Sequence, residues 1–380
     1  MIFKKIVLTF FVFTNLAFSQ DSLKFNITVI GASFDVNDSL FIAGSRSEIG
    51  SWNPSKVKFT RTNDSLFTRE FKFPKGTSLE YKFTKGSWDR EAVDANGAVP
   101  QNYTIKLNRD TSIIYRIDYW KDQFESQPRI VNGQITGKVR YHEGLKYKFL
   151  PQRDLIVWLP PNYETSNEYY PVLYMHDGQN IFDPNTSSIG TDWQIDETAD
   201  SLIHKNIITP MIIVGIYNSN RRMYEYTPSD TGYVYVDFVV NKVKPLIDSL
   251  YRTKHEREFT YTGGSSAGGL ISFVLLWERS DIFSKAICMS PAFKISTIDY
   301  VTPVINYKGE RKDIIIYIDN GGIGLEDQLQ HGIDEMLEAL NLQGYIEGKD
   351  YLWIKDTEAV HNEAAWAERI PNAFKWLFAK

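Results

Sequence analysis

Cysteine is nearly absent: among 380 residues there is one, Cys288. A single cysteine excludes an intramolecular disulfide and any zinc site built on cysteines. It lies in the apolar run Ala286-Ile287-Cys288-Met289, which reads as a strand, and is expected as a small buried hydrophobe rather than a reactive thiol. The chain also lacks any block of lysine or arginine, and 42 basic residues against 47 acidic ones leave a net charge of −5. That balance argues against a nucleic-acid partner. No apolar run is long enough for a transmembrane span. There is no internal repeat and no low-complexity stretch. Aromatics, by contrast, are plentiful at 14%, a content that suits β-rich cores and sugar-stacking surfaces alike.

Residues 1–19 stand apart from the rest. Lys4-Lys5 is a basic start, Ile6 to Phe13 an apolar stretch, and Ala17-Phe18-Ser19 a small-x-small cleavage pattern. Together they predict a secretory signal peptide, and with the lack of disulfides they point to a periplasmic or secreted protein. From 20 to 122 short alternating runs separated by turn signals predict an all-β, immunoglobulin-like sandwich. A polar linker is expected at 123–140. From 141 to 380 strands alternate with helical periods, which predicts a doubly wound, mostly parallel sheet of the α/β-hydrolase type.

The second domain centres on Gly264-Ser265-Ser266-Ala267-Gly268. A β-prone run precedes this G-x-S-x-G and an apolar helix follows it, the strand–turn–helix context of a nucleophile elbow with Ser266 at its tip. A serine hydroxyl needs a base to take its proton. Of six histidines, only His331 and His361 follow Ser266. His361, in the loop after the last expected strand, stands where this fold delivers its base. The acid is expected after the apolar run Ile314 to Ile318, where Glu326, Asp327 and Asp319 are available, with Glu326 preferred. Backbone N–H groups of Ala267 and of the loop at or next to Gln179 are the expected oxyanion donors. His176, which opens that loop, is expected to be structural.

Two resemblances follow from particular residues. Ile42-Ala43-Gly44-Ser45, Ile49-Gly50-Ser51-Trp52-Asn53-Pro54, Glu80-Tyr81-Lys82-Phe83 and Trp88 resemble starch-binding modules of the family 20 type. That resemblance implies sugar contacts by Trp52, Lys82 and Trp88. The segment Trp88-Asp89-Arg90-Glu91 departs from the module's usual pattern, and the alternative is a spacer with both tryptophans in its core. In the second domain, His176-Asp177-Gly178-Gln179-Asn180-Ile181-Phe182-Asp183, Trp193, Val214-Gly215-Ile216, Arg222-x-x-Glu225-Tyr226-x-Pro228, the elbow and His361-Asn362-Glu363 resemble the Putative esterase family. This group includes feruloyl and acetylxylan esterases (carbohydrate esterase family 1) and enterochelin-type trilactone esterases. The resemblance implies ester hydrolysis through a serine acyl-enzyme, with no metal and no other cofactor. Trp193, Arg222 and Glu225 are then candidates to line the substrate pocket, the alternative being an Arg222–Glu225 ion pair with a structural role. The expected substrate is an acetyl or feruloyl ester on carbohydrate. A siderophore trilactone, or a catalytically silent glycan-binding protein, are the alternatives.

Overall fold

The computed structural model describes residues 22–31, 34, 38–94, 99–123 and 134–380. The signal peptide expected at 1–19 and most of the linker expected at 123–140 lie outside the described residues. Among those described, no helix is long and apolar enough to cross a membrane.

The first hundred described positions form two four-stranded sheets face to face. One is built on Ser22–Ile30, paired antiparallel with Leu66–Pro74 and parallel with Thr111–Arg116. The other is built on Ser78–Thr84, flanked by Phe41–Gly44 and Tyr103–Lys106. Alternation decides which side chains meet: Phe25, Ile27 and Val29 point inward from one strand and join Phe67, Phe73, Tyr81 and Phe83. Two short strands lie next to each other in sequence but in different sheets, Val57–Lys58 in one and Thr60–Arg61 in the other. Buried Phe59 sits at the crossing between them.

The larger sheet has eight strands, numbered here along the chain: β1 (Lys138–Tyr147), β2 (Leu150–Leu159), β3 (Val172–His176), β4 (Ile212–Ile216), β5 (Thr260–Ser265), β6 (Lys285–Met289), β7 (Ile315–Asn320) and β8 (Tyr351–Lys355). Their spatial order is β1-β2-β4-β3-β5-β6-β7-β8. The first two form an antiparallel hairpin, β2 runs antiparallel to β4, and every later pair is parallel. Strand β1 begins inside the stretch expected as linker. None of its residues is buried and a register shift interrupts its pairing between His142 and Leu145. A bulged edge strand of this kind carries little hydrophobic signal.

Helices cover both faces. Val172 and Tyr174 of β3 pack toward Leu270, Val274 and Ile333, while Leu173 and Met175 pack toward Ile195, Ala199, Ile370 and Phe374. Four helices matter below: α1 (Ile195–His204), α2 (Ala267–Glu278), α3 (Leu325–Leu342) and α4 (Glu363–Phe378). Residues 267–277 of α2 are buried throughout, the pattern of a helix enclosed in a core rather than laid on a surface. A helical run from Asp230 to Leu250 passes through one wide π turn at Val239–Val243 just ahead of Pro245. Such a turn accommodates a residue that cannot donate to the helical ladder.

Candidate active site

Strand β5 ends at Ser265, α2 begins at Ala267, and Ser266 joins them at φ 56°, ψ −123°. This left-handed backbone is costly for a side-chain-bearing residue and persists only where neighbours fix it. Here they do: the Ser266 N–H donates to the Met289 carbonyl at 2.9 Å, and the Ser266 carbonyl accepts from Ala292 N–H at 3.1 Å. The turn also needs Gly264, since a Cβ there would lie 2.6 Å from the carbonyl carbon of Gly268. Ala267 is the first residue of α2, so its N–H has no carbonyl behind it in the helix.

The loop after β3 supplies the opposite wall. Gln179 lies in the single turn Gly178–Asn180. Its carbonyl accepts from Thr186 Oγ1 at 2.7 Å and its side-chain Oε1 from Asn218 N–H at 3.2 Å. Those two bonds hold the Gln179 side chain and the peptide that follows it. His176 is fully buried, with Nδ1 2.8 Å from the Tyr235 hydroxyl. Burial depresses its pKa to about 3, so it is neutral and structural, as expected.

The loop after β8 carries His361, whose Nδ1 lies 3.4 Å from Oε1 of Glu326 at the start of α3. This is ion-pair range, longer than a good N–H···O hydrogen bond. Glu326 is fully buried and Oε1 accepts from Ser290 Oγ at 2.7 Å, with Arg369 Nη2 at 3.7 Å. Burial pushes its carboxyl up, but His361, Ser290 and Arg369 together outweigh burial and hold it below the usual glutamate range. The competing acids separate clearly. Asp327 is exposed. Asp319 is buried but held by the Arg369 guanidinium, Nε to Oδ2 at 3.1 Å.

The residues expected to line the pocket fare differently. Trp193 is 1% exposed and lies against Trp366 with ring centroids 5.2 Å apart, while Trp366 meets His361 edge-on at 5.0 Å. Trp193 therefore packs behind Trp366 inside the core and is not free to touch a ligand. Glu225 is fully buried and bound through both oxygens to Arg153 at 2.9 Å. Arg222 instead grips Asp177 through two 2.7 Å bonds. Both expected residues are in ion pairs, but with partners distant in sequence rather than with each other. Arg222 Nη2 also reaches the Ser265 carbonyl at 3.4 Å, so it ties the loop after β3 to the elbow.

Four side chains around the site were not singled out by sequence reasoning. Ser290, Trp366 and Arg369 form one cluster, in which Ser290 Oγ accepts from Trp366 Nε1 at 3.0 Å and from Arg369 Nη2 at 2.9 Å. The fourth is Glu363, at the start of α4, which accepts from Asn180 Nδ2 at 3.0 Å. Burial, reinforced by Asp177, raises Glu363 to about 7 despite the Lys82 and His361 charges nearby.

On the sandwich, two of the three expected sugar-contacting residues face the second domain. Trp52 packs on the hydrophobic core of that domain. Lys82 pairs with Glu91 at 3.5 Å, and its charge is felt by Glu363. Trp88 is half-buried on the turn Trp88–Arg90.

A sheet of this order, with a strained serine at a helix start and a histidine beside a buried glutamate at neighbouring strand ends, is the framework of a serine hydrolase. The family model described as "Putative esterase" matches residues 151–377, and the chain belongs to that family. A second model, of the starch binding domain, matches residues 22–121. The chain is 23% identical over 245 residues to the uncharacterised protein YbbA of Bacillus subtilis (strain 168), covering 60% of this chain and 93% of that protein. It is 28% identical over 106 residues to an alpha-amylase of Niallia circulans, a match to 27% of this chain and 8% of the amylase. Among solved structures, a ferulic acid esterase matches with TM-score 0.53 and 21% identity over 63% of this chain and 98% of its own. The enterobactin esterase FES from Shigella flexneri matches with TM-score 0.52 and 12% identity over 89% of this chain and 88% of its own. At these identities the structural likeness speaks to fold.

Proposed function

We propose that this chain is an exported serine carboxylesterase of the carbohydrate esterase family 1 type, in which a doubly wound α/β-hydrolase domain at about 138–380 follows a sandwich domain at about 20–122. The observation that carries the proposal is the strained Ser266 at the start of α2, together with His361 paired to the buried Glu326. Ser266 Oγ attacks the ester carbonyl carbon and its proton passes to His361. Glu326 holds the imidazole through Nδ1 and stabilises the imidazolium that forms. The developing oxyanion is met by the N–H groups of Ala267 and of the Gln179 turn, each donor contributing on the order of 10²- to 10³-fold in rate. The imidazolium protonates the leaving alcohol. Water then repeats the attack on the acyl-enzyme, with His361 taking its proton, and the acid departs. No step calls on a metal or cofactor.

The starch-binding match and the ferulic acid esterase likeness favour an acetyl or feruloyl ester on carbohydrate. A trilactone substrate is the second reading, favoured by the likeness to an enterobactin esterase across both domains. The deciding experiment is turnover of p-nitrophenyl acetate, methyl ferulate and a catecholate trilactone by the mature protein beside Ser266→Ala and His361→Ala. Loss of about 10⁴-fold or more in both variants is the expected result. Turnover that survives Ser266→Ala sinks the mechanism, and a preference for the trilactone sinks the carbohydrate reading.

A further inference from the structure

We propose that Glu80, a residue of the sandwich, is a positioning residue for the esterase site because it caps the helix that carries Glu326. The inference rests on the reading of Glu326 as the catalytic acid.

Helix α3 starts without a cap of its own. The residue before it is Gly324, at φ 70° and ψ −116°, which has no side chain to accept the first N–H groups. A helix start left in this state needs acceptors from elsewhere. Glu80 supplies one: its Oε1 accepts from Leu325 N–H at 3.4 Å. The glycine also makes the space, since a Cβ at position 324 would stand 1.9 Å from that same oxygen. Glu80 is in turn held firmly. Its N–H meets Ser45 Oγ at 3.1 Å, its carbonyl accepts from Ser45 N–H at 2.9 Å, and Oε2 accepts from Asn102 Nδ2 at 3.4 Å. The side chain is 8% exposed as a residue, so this contact is sheltered from competing water and salt.

The placement has a direct chemical consequence. Leu325 is followed by Glu326, so the first turn that Glu80 secures is the turn that aims the acid at His361. Trp52 and Lys82, from the same side of the sandwich, are also turned toward the second domain. The residue types that implied a free sugar platform are here part of a domain joint, and the sandwich completes the catalytic unit.

The test is made on the full mature chain with p-nitrophenyl acetate, an ester too small to need the sandwich for binding. Glu80→Ala is expected to lower kcat about 10-fold with KM within about twofold, an effect confined to transition-state stabilisation. It is also expected to move the acidic limb of the kcat/KM profile to lower pH, because a loosened Glu326 stabilises the His361 imidazolium less. Glu80→Gln keeps an acceptor oxygen and should restore most of the rate and return the limb toward its original position. Gly324→Ala displaces the carboxylate from the other side of the joint and should reproduce the limb shift if Glu80→Ala fails to fold. A limb unmoved in both Glu80→Ala and Gly324→Ala overturns the proposal, whatever happens to stability. Activity abolished by Ser266→Ala but unchanged by Glu80→Ala leaves the esterase standing and removes only the positioning role. Activity that survives Ser266→Ala removes the esterase reading and this inference with it.

Discussion

Helices α3 and α4 both start at the site, and each places a glutamate in its first turn, yet the two carboxyls behave in opposite ways. Glu326 sits among a serine hydroxyl, a guanidinium and an imidazole, and these hold it ionised against the cost of burial. Glu363 has one amide donor, Asn180, and the nearby Asp177 charge opposes its ionisation. Both are buried and feel the His361 imidazole, and both share the favourable end of a helix dipole. The difference lies in the neighbours: the same side chain is an acid partner in one place and a near-neutral hydrogen-bonding group in the other.

Exchanging each carboxyl for its amide would sharpen this contrast. Glu326→Gln is expected to lower kcat by about 10³- to 10⁴-fold, because the amide neither stabilises the imidazolium nor fixes its tautomer. The loss is measured on p-nitrophenyl acetate, and Glu363→Gln should stay within about 10-fold of wild type on the same substrate. Equal losses would break the comparison. Next in size is Glu225→Ala, which strands the fully buried Arg153 guanidinium and should cost about 3–5 kcal/mol in urea unfolding. Its effect should appear in stability first, since Glu225 lies beneath the site.

Glu363→Gln has its own signature in the pH dependence of stability. The native carboxyl is raised from an ordinary 4.5 to about 7, so the folded state binds its proton more tightly than the unfolded chain does. The associated stability is fully present below the ordinary glutamate range and is lost as pH rises through about 7. Over that window the wild type should lose about 3 kcal/mol more than the variant. Parallel stability curves would show that Glu363 is already ionised. The smallest effect is expected for Asp327→Asn, at an exposed position next to the acid. Its stability should remain within about 0.5 kcal/mol and its turnover at the wild-type level.

The elbow was legible because its requirements are local: small residues around Ser266, a β-prone run before and an apolar run after. His361 and Glu326 could be named together because this topology brings the loops after its last two strands side by side, and the two side chains do lie 3.4 Å apart. What surrounds them was not, since Ser290 and Trp366 are 76 positions apart and nothing in either segment announces the other. The same reason explains Trp193 and Glu225, which belong to site motifs but act from the core through partners far along the chain. For Trp52 and Lys82 the residue types were readable, whereas their direction depends on how one domain sits on the other.

The chain's one thiol offers an unplanned instrument. Cys288 lies fully buried in β6, and burial pushes its pKa well up. A thiol in that state is inert toward alkylating reagents until the central sheet opens. Modification of the intact protein by a thiol reagent would therefore count opening events of the sheet itself. A cysteine introduced on the surface would carry a probe with no competing label.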